Sequence, residues 1–300
     1  MYDVIIVGAG PAGLSAALVL GRCRRTVLVC DDGQPRNARA GAIHGYLTRD
    51  GTAPSEFLQL ARRDLEPYSS VSIETAHVES AARRKGSFTI KLDSGETREA
   101  RRLLLATGVV DEIPPIEGIE AFYGASIHHC PYCDGWESRD QIIVAYGKGA
   151  HVFGLAMTLR NWTDKLLVCS DGPSLLEESD RATLARHGIS LREDRIARLE
   201  GRGDQLERII FEEGDPLPCD ALFFSTGQRQ HSSIAADFGC EFSEKGAVLT
   251  GHCETTNVPG LFVAGDASKA TQFVIVAAAE GAEAAGEINR SLEEEDRIPG

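Results

Sequence analysis

Residues 3–13 read Asp3-Val4-Ile5-Ile6-Val7-Gly8-Ala9-Gly10-Pro11-Ala12-Gly13. The apolar run to Val7 is what a parallel strand covered on both faces needs. The glycines then follow at the spacing of a dinucleotide turn. Gly8 permits a tight turn, Gly10 lets a phosphate approach the backbone, and Gly13 lets the next helix pack close to the strand. Pro11 and Ala12 complete the turn. Residues 14–20 are rich in Ala and Leu and read as that helix. Its N-terminus offers unpaired amides and the positive end of the helix dipole to a pyrophosphate. Residues 26–29 read as a second strand. Asp31 stands just past it, where a carboxylate can bond a ribose hydroxyl. A glycine-rich loop without a ligand is the plainer alternative. Strand, turn, helix and acid nevertheless stand in the order that nucleotide binding requires.

The same order returns further along. Residues 142–145 read as a strand, Gly147-Lys148-Gly149 as a tight turn, 151–162 as a helix and 165–169 as a strand. Each unit is followed by an apolar run ending in Thr-Gly: Leu103-Leu104-Leu105-Ala106-Thr107-Gly108, then Leu222-Phe223-Phe224-Ser225-Thr226-Gly227. This parallel points to duplication of one fold. Ile113-Pro114-Pro115 reads as a linker. Residues 242–246 turn polar, and Leu261-Phe262-Val263-Ala264-Gly265-Asp266 leads into an Ala-rich helix over 272–292. The pattern predicts an α/β protein with two doubly wound Rossmann-like nucleotide-binding domains, the second inserted in the first. The first domain takes 1–112 and 243–300, and the inserted one takes 113–242. Gly265 and Asp266 suit the ribityl chain of a flavin, with a helix N-cap as the competing role of the Asp. Together with the first turn they favour FAD as cofactor. The acidic residues 293–296 read as a frayed, solvated helix end.

The chain has 300 residues and a net charge of −14. That length allows two cores. Nucleic-acid binding calls for a basic stripe. Only two short basic runs occur, Arg83-Arg84-Lys85 and Arg101-Arg102, and both read as solvated surface. The opening residues lack a basic start and are broken by Gly8, Gly10, Pro11 and Gly13, unlike a signal peptide. No run reaches the ~18 apolar residues of a membrane helix. A cytoplasmic protein with no nucleic-acid or membrane partner is expected. Of the eight cysteines, all but Cys130 and Cys133 are isolated. Isolated thiols suit small buried hydrophobes in a reducing compartment.

The close pair sits in His128-His129-Cys130-Pro131-Tyr132-Cys133-Asp134-Gly135-Trp136-Glu137. Two cysteines at this spacing can close a disulfide and reopen it. A helix N-terminus or a nearby cation lowers the attacking thiol's pKa. His128 and His129 can give such help or take protons, and Asp134 can deliver one. A zinc half-site would need a second close pair of ligands. His44, His187, His231 and His252 are isolated, so no metal is expected. Cys-Pro-Tyr-Cys is also the glutaredoxin tetrapeptide, but here it lies deep in the chain, just before a nucleotide unit. His44 reads as an ordinary loop histidine, with a place near the flavin as the alternative.

The order of these motifs is specific. Gly8-x-Gly10-Pro11-Ala12-Gly13, Ala106-Thr107-Gly108, Cys130-x-x-Cys133-Asp134-Gly135 and Ala264-Gly265-Asp266 resemble the low-molecular-weight thioredoxin reductase-like flavoproteins, over essentially the whole chain. The resemblance implies a homodimer with FAD in the discontinuous domain and the cysteine pair in the inserted one. It implies a flavin-proximal Cys133, a Cys130 that exchanges with substrate, and Asp134 as proton donor. It also puts Gln272 near the flavin and Thr107 and Gly108 among the cofactor-binding residues.

The second nucleotide unit departs from the family. Val152 stands where a third small residue belongs. Members that use NADPH carry an arginine cluster after the next strand, and this chain has Cys169-Ser170-Asp171-Gly172-Pro173-Ser174. An Asp there suits NADH better than NADPH. Impaired NADPH binding is the expectation, and use of NAD(P)H is left open. His128-His129 and Gly135-Trp136-Glu137 resemble a branch containing dithiol oxidases. In those, a dithiol reduces the cysteines, the cysteines reduce FAD, and oxygen leaves as hydrogen peroxide. Some members of that branch have histidine where this chain has Asp134. The expected function is therefore FAD-dependent oxidation of a dithiol with oxygen as acceptor, on a small molecule or a thioredoxin-like protein. The alternatives are an NAD(P)H-dependent disulfide reductase, a ferredoxin-fed reductase and a non-enzymatic flavoprotein redox sensor.

Overall fold

The computed structural model describes residues 1–84 and 86–297; Lys85 of the first basic run, and Ile298, Pro299 and Gly300 of the expected first domain, lie outside them. The chain opens with β1 (Tyr2–Val7), α1 (Pro11–Arg22) and β2 (Val27–Asp31), the unit that the glycine spacing predicts. There follow α2 (Pro54–Leu65), β3 (Val71–Thr75), β4 (Val78–Arg84), β5 (Ser87–Leu92), β6 (Thr97–Leu105) and β7 (Val109–Asp111). The cysteine region holds α3 (Ile119–Phe122), β8 (Ile127–His128) and α4 (Pro131–Asp134). The second predicted unit is β9 (Ile143–Gly147), α5 (Gly149–Leu159) and β10 (Leu166–Cys169). After it come α6 (Glu178–Arg186), β11 (Ser190–Arg192), β12 (Ile196–Arg202), β13 (Gln205–Phe211), β14 (Leu217–Pro218), β15 (Ala221–Ser225) and β16 (Gln228–Gln230). The chain closes with α7 (Ile234–Asp237), β17 (Leu261–Val263) and α8 (Val274–Asp296).

Two compact units result. One comprises Met1–Ala38, Tyr46–Val110 and Arg229–Gly300; the other comprises Arg39–Gly45 and Asp111–Gln228. The sequence places the return to the first domain at 243, whereas the division falls at Arg229. The reason is packing. Ile234 and Ala235 of α7, with Cys240 and Val248, lie in one core with Ile5, Val7 and Leu103 of the first sheet. The segment 39–45 joins the second unit although its neighbours on both sides join the first.

The first sheet runs β3-β2-β1-β6-β5-β4, with β17 also paired to β6. The second runs β11-β10-β9-β15-β8. Its pairings are all parallel. The order β2-β1-β6 in one sheet repeats as β10-β9-β15 in the other, and β6 and β15 each lead into Thr-Gly. The predicted duplication is therefore a shared topology.

In the first unit α1 packs on α8 through small residues. Ala12, Ala16, Ala17, Ala277, Ala284 and Ala285 are buried in one core. Two surface expectations need correction. Arg101 and Arg102 are not solvated: their side chains are 17% and 13% exposed. Arg101 reaches Asp3 at 3.0 Å, Glu295 at 3.0 Å and Asp296 at 2.6 Å, and Arg102 reaches Glu295 at 2.8 Å. The acidic end 293–296 is likewise not frayed, because α8 runs to Asp296. Acids at a helix C-terminus oppose its dipole, and the β6 arginines offset that cost.

Candidate active site

β1 ends at Val7 and α1 begins at Pro11, so Gly8, Ala9 and Gly10 make the turn. Gly8 has φ 106°, and a Cβ there would meet the Ala106 carbonyl oxygen at 2.3 Å. A Cβ on Gly13 would sit 1.9 Å from the Gly8 carbonyl oxygen. Both glycines are thus required by close approach of backbone. Gly10 differs: a Cβ there would meet nothing within 4 Å. It is the N-cap of α1, without a side-chain cap, and Pro11 occupies the first turn. Open space in front of uncapped helix amides is what a pyrophosphate needs. The turn therefore fits FAD. Thr107 and Gly108 follow β6 beside it, with the Thr107 nitrogen 3.3 Å from the position of a Gly8 Cβ. The Gly108 carbonyl accepts the His231 N–H at 3.2 Å.

Asp31 closes β2 as expected. Its Oδ1 accepts the Gly33 N–H at 3.0 Å, and its Oδ2 accepts from the Arg62 guanidinium of α2. A carboxylate has about four acceptor sites, so capacity remains for a ribose hydroxyl. Asp266 is not a helix cap, since α8 begins at Val274 with Phe273 at its N-cap. Its carboxylate accepts from Arg36 at 2.8 Å. The same guanidinium donates to Gln272 Oε1 at 2.7 Å. Gln272 also donates to the Asp266 carbonyl at 3.3 Å. Asp266 and Gln272 are thus brought together by Arg36, which the sequence did not single out. The Gly265 N–H donates to Glu280 Oε2 at 2.7 Å. Glu280 is buried. Burial first, and Glu254 in addition, push its carboxyl up to about 7, against the Gly265 hydrogen bond.

Cys130 and Cys133 are joined as a disulfide with Cα atoms 5.3 Å apart. Cys130 is the extended N-cap of α4, and Pro131 occupies its first turn. The Cys130 carbonyl accepts the N–H groups of Cys133 at 3.1 Å and Asp134 at 3.2 Å. One helical turn therefore holds the pair and sets Asp134 behind it. His128, on β8, is buried, and its Nδ1 lies 3.5 Å from Asp134 Oδ1. Burial lowers the His128 pKa to about 4, with His129 adding to the effect. It is neutral at pH 7 and supplies no cation to a thiolate. Burial pushes Asp134 up to about 6; Glu137 adds to this and His44 opposes it. A carboxyl at that value can exchange protons near neutrality. His129 Nε2 lies 3.8 Å from Asp111 Oδ2, and its Nδ1 lies 3.3 Å from the Tyr123 hydroxyl. His44 is not an isolated loop histidine. Its Nε2 lies 3.6 Å from Glu137 Oε1.

Residues 2–281 match the pyridine nucleotide-disulphide oxidoreductase family. The chain belongs to this family. Thioredoxin reductase sirT of Leptosphaeria maculans is 30% identical, over 96% of this chain and 94% of its own. Thioredoxin reductase tcpT of Claviceps purpurea is 31% identical, over 89% of this chain and 86% of its own. The crystal structure of a putative thioredoxin reductase, TrxB from Bacillus anthracis, matches with a TM-score of 0.94 at 30% identity, over 99% of this chain and 100% of that one. This pyridine nucleotide-disulphide oxidoreductase is thus a thioredoxin reductase-like enzyme of two Rossmann-type domains, and FAD is its cofactor. Among the described residues no helix is long and apolar enough to cross a membrane. No group of three or more His, Cys, Asp or Glu there is placed to hold a metal ion.

The second nucleotide turn of this oxidoreductase differs from the first. Val152 is wholly buried, and a Gly147 Cβ would lie 3.3 Å from its Cβ. The Gly149 N–H, at the start of α5, donates to the Ser174 carbonyl at 2.7 Å. Ser174 is itself fixed. Its N–H donates to Glu193 at 2.8 Å, and its hydroxyl accepts from Arg181 at 2.7 Å. The Arg181 bond, with those from Ser174, holds the Glu193 carboxyl down at about 2. Asp171 does not stand free for a ribose: its Oδ1 accepts the Ile196 N–H at 2.8 Å. Its Oδ2 lies 4.0 Å from Arg195. The window 169–174 contains no arginine, yet the fold brings Arg195 there from the connection between β11 and β12.

Proposed function

We propose that this flavoenzyme oxidises a dithiol to a disulfide through Cys130–Cys133, with molecular oxygen as final acceptor. The observation that carries this direction is the second turn. The Gly149 amide that a nicotinamide dinucleotide's pyrophosphate would need is bonded to Ser174. Glu193 and Arg181 keep Ser174 in place. The first turn, by contrast, is open at Gly10. Gly8, Gly10, Pro11, Ala12 and Gly13 would hold the FAD pyrophosphate and Asp31 a ribose. Gly265, Asp266 and Gln272, with Thr107 and Gly108, would hold the rest. When bound, FAD supplies a two-electron carrier between a thiol pair and oxygen.

The cysteine chemistry follows from α4. A substrate thiolate attacks the Cys130 sulfur, and the bond to Cys133 breaks with its electron pair on Cys133. The second substrate thiol then displaces Cys130 and closes the substrate disulfide. Both cysteines are left reduced. Asp134 takes the proton of an entering thiol and returns one to a leaving cysteine, with neutral His128 behind its carboxyl. Overall, dithiol and oxygen give disulfide and hydrogen peroxide. The substrate is a small dithiol or a thioredoxin-like protein, and the enzyme works as a homodimer.

The test is anaerobic. Oxidised holoprotein is mixed in turn with NADPH, NADH and dithiothreitol while flavin absorbance is followed. Bleaching by the dithiol alone, with peroxide formed on admitting air, is expected. Rapid bleaching by NADPH would overturn the oxidase direction. Cys133→Ser is expected to keep FAD and lose dithiol turnover; full turnover in that variant would remove the pair from the chemistry. A second reading, an NAD(P)H-dependent disulfide reductase, is favoured by Arg195 beside Asp171 and by the thioredoxin reductase names of the relatives.

A further inference from the structure

Residues 264–273 join β17 to α8 and form neither helix nor strand. They include Gly265, Asp266 and Gln272, which are assigned above to FAD. Ordering such a segment costs conformational entropy, and a segment fixed by the protein's own bonds spares the ligand that cost. Its backbone is tied down at several points. The Ser268 N–H donates to the Gly265 carbonyl at 3.0 Å, and the Gly265 N–H donates to Glu280. Lys269 pairs at 3.1 Å with Glu254, which is buried and accepts the Thr250 hydroxyl at 2.9 Å.

Arg36 holds the two side chains. It lies in the connection between β2 and α2, a little after Asp31. Its Nη1 donates to Asp266 Oδ2 at 2.8 Å and to Gln272 Oε1 at 2.7 Å. One acceptor stands near the start of the segment and the other near its end. The Gln272 amide then donates to the Asp266 carbonyl at 3.3 Å and the Lys269 carbonyl at 3.2 Å. The Arg36 and Asp266 side chains are 17% and 21% exposed, so solvent screens the pair little. The other end of the site is held by different groups. Asp31 accepts from Arg62 of α2 and from the Gly33 N–H, and close backbone approach fixes Gly8 and Gly13. Removing Arg36 therefore takes a support from one half of the site.

We propose that Arg36 is a positioning residue for the cofactor. It holds Asp266 and Gln272 in place for the flavin and ribityl half of FAD, and leaves the adenosine half to Asp31 and the first glycine turn. This rests on the assignment of Asp266 and Gln272 to FAD made above, and not on the direction of the dithiol reaction.

ADP separates the two halves, because it carries the adenosine ribose and a diphosphate but neither ribityl chain nor flavin ring. The full chain, stripped of flavin, is titrated with FAD by flavin fluorescence and with ADP by calorimetry. Arg36→Met is expected to weaken FAD by about tenfold or more, the scale of a lost charge-assisted hydrogen bond, and to leave ADP affinity unchanged. A general loosening of the fold would weaken both alike. In an Asp266→Ala background Arg36→Met is expected to cost far less than it does alone, because its charged partner is already gone. Melting temperature reports whether each variant is folded. Parent-like FAD binding in Arg36→Met overturns the proposal, as does equal weakening of FAD and ADP. If Arg36→Met does not fold, Gln272→Leu removes the other acceptor and is expected to weaken FAD and spare ADP; unchanged FAD affinity there overturns the proposal. Asp266→Ala alone tests the assignment beneath it. Unchanged FAD affinity in that variant would take Asp266 out of the cofactor site, whereas weakened FAD there with Arg36→Met unaffected would overturn the role of Arg36 alone.

Discussion

Single residues divide by whether their partners are near in sequence. Asp134 and His128 were legible as candidate site residues because they flank the cysteines, and a functional carboxyl or imidazole is sought there first. Arg36, Arg62 and Arg195 were not. Arg36 meets Asp266 and Gln272, and Arg62 meets Asp31, across separations that no local pattern marks. Glu280 was equally invisible, being one acid in an Ala-rich run. Its raised value of about 7 has a consequence for stability. A carboxyl whose folded pKa lies above its unfolded one favours folding most below the unfolded value. That contribution is lost as pH rises through the folded value. Glu280→Gln keeps an oxygen for the Gly265 N–H and never ionises. It is expected to exceed the parent protein in stability at pH 8 by about 1–3 kcal/mol, with the difference shrinking below pH 5. Urea unfolding at the two pH values measures this; equal differences at both would mean that Glu280 carries no ionisation penalty.

At the scale of elements, α1 and α8 show what composition can and cannot tell. Both helices were legible from Ala and Leu content, and α1 from the glycine turn before it. Their contact was not, because small residues mark close approach without naming the partner. The structure names it: a Cβ on Gly281 of α8 would lie 2.0 Å from the Ala12 carbonyl oxygen of α1. Backbone cannot yield there as a flexible side chain would. Gly281→Ala is therefore expected to separate the helices at a cost of about 1–3 kcal/mol, despite alanine's better helix propensity. Ala12 lies in the first turn of α1, directly after the nucleotide turn, so the same variant is expected to retain less FAD. Denaturant midpoint and flavin content together check it; an unchanged midpoint would show that the two helices do not constrain each other. The far end of α8 carries the same lesson for charge. Glu295 and Asp296 are solvated, as their composition suggests, but the arginines that pair with them from β6 are not marked by any local pattern.

Over the whole molecule, one plan is used twice, and in the second copy the Gly149 amide is bonded to the Ser174 carbonyl. The sequence showed the repeat and showed that the second turn was altered. It could not show what filled that turn, because Ser174, Arg181 and Glu193 meet only after β10, α6 and β11 have folded together. This asymmetry has a thermodynamic reading. A ligand that binds only the folded state stabilises it by about 2.7 kcal/mol at a hundredfold excess over its Kd. FAD added to flavin-stripped protein is therefore expected to raise the calorimetric melting transition that contains the first unit. Because Gly149 is bonded to Ser174 rather than to solvent, millimolar NADPH is expected to raise no transition, with or without FAD. A variant that weakens the latch, Glu193→Ala, removes the carboxylate that accepts from both the Ser174 N–H and Arg181. It is expected to melt lower and to begin responding to NADH or NADPH. Scanning calorimetry of parent and variant with each nucleotide decides the matter: an NADPH-induced rise in the parent comparable to that with FAD would mean that Ser174 yields the turn readily, and the case for oxygen as acceptor would lose its support.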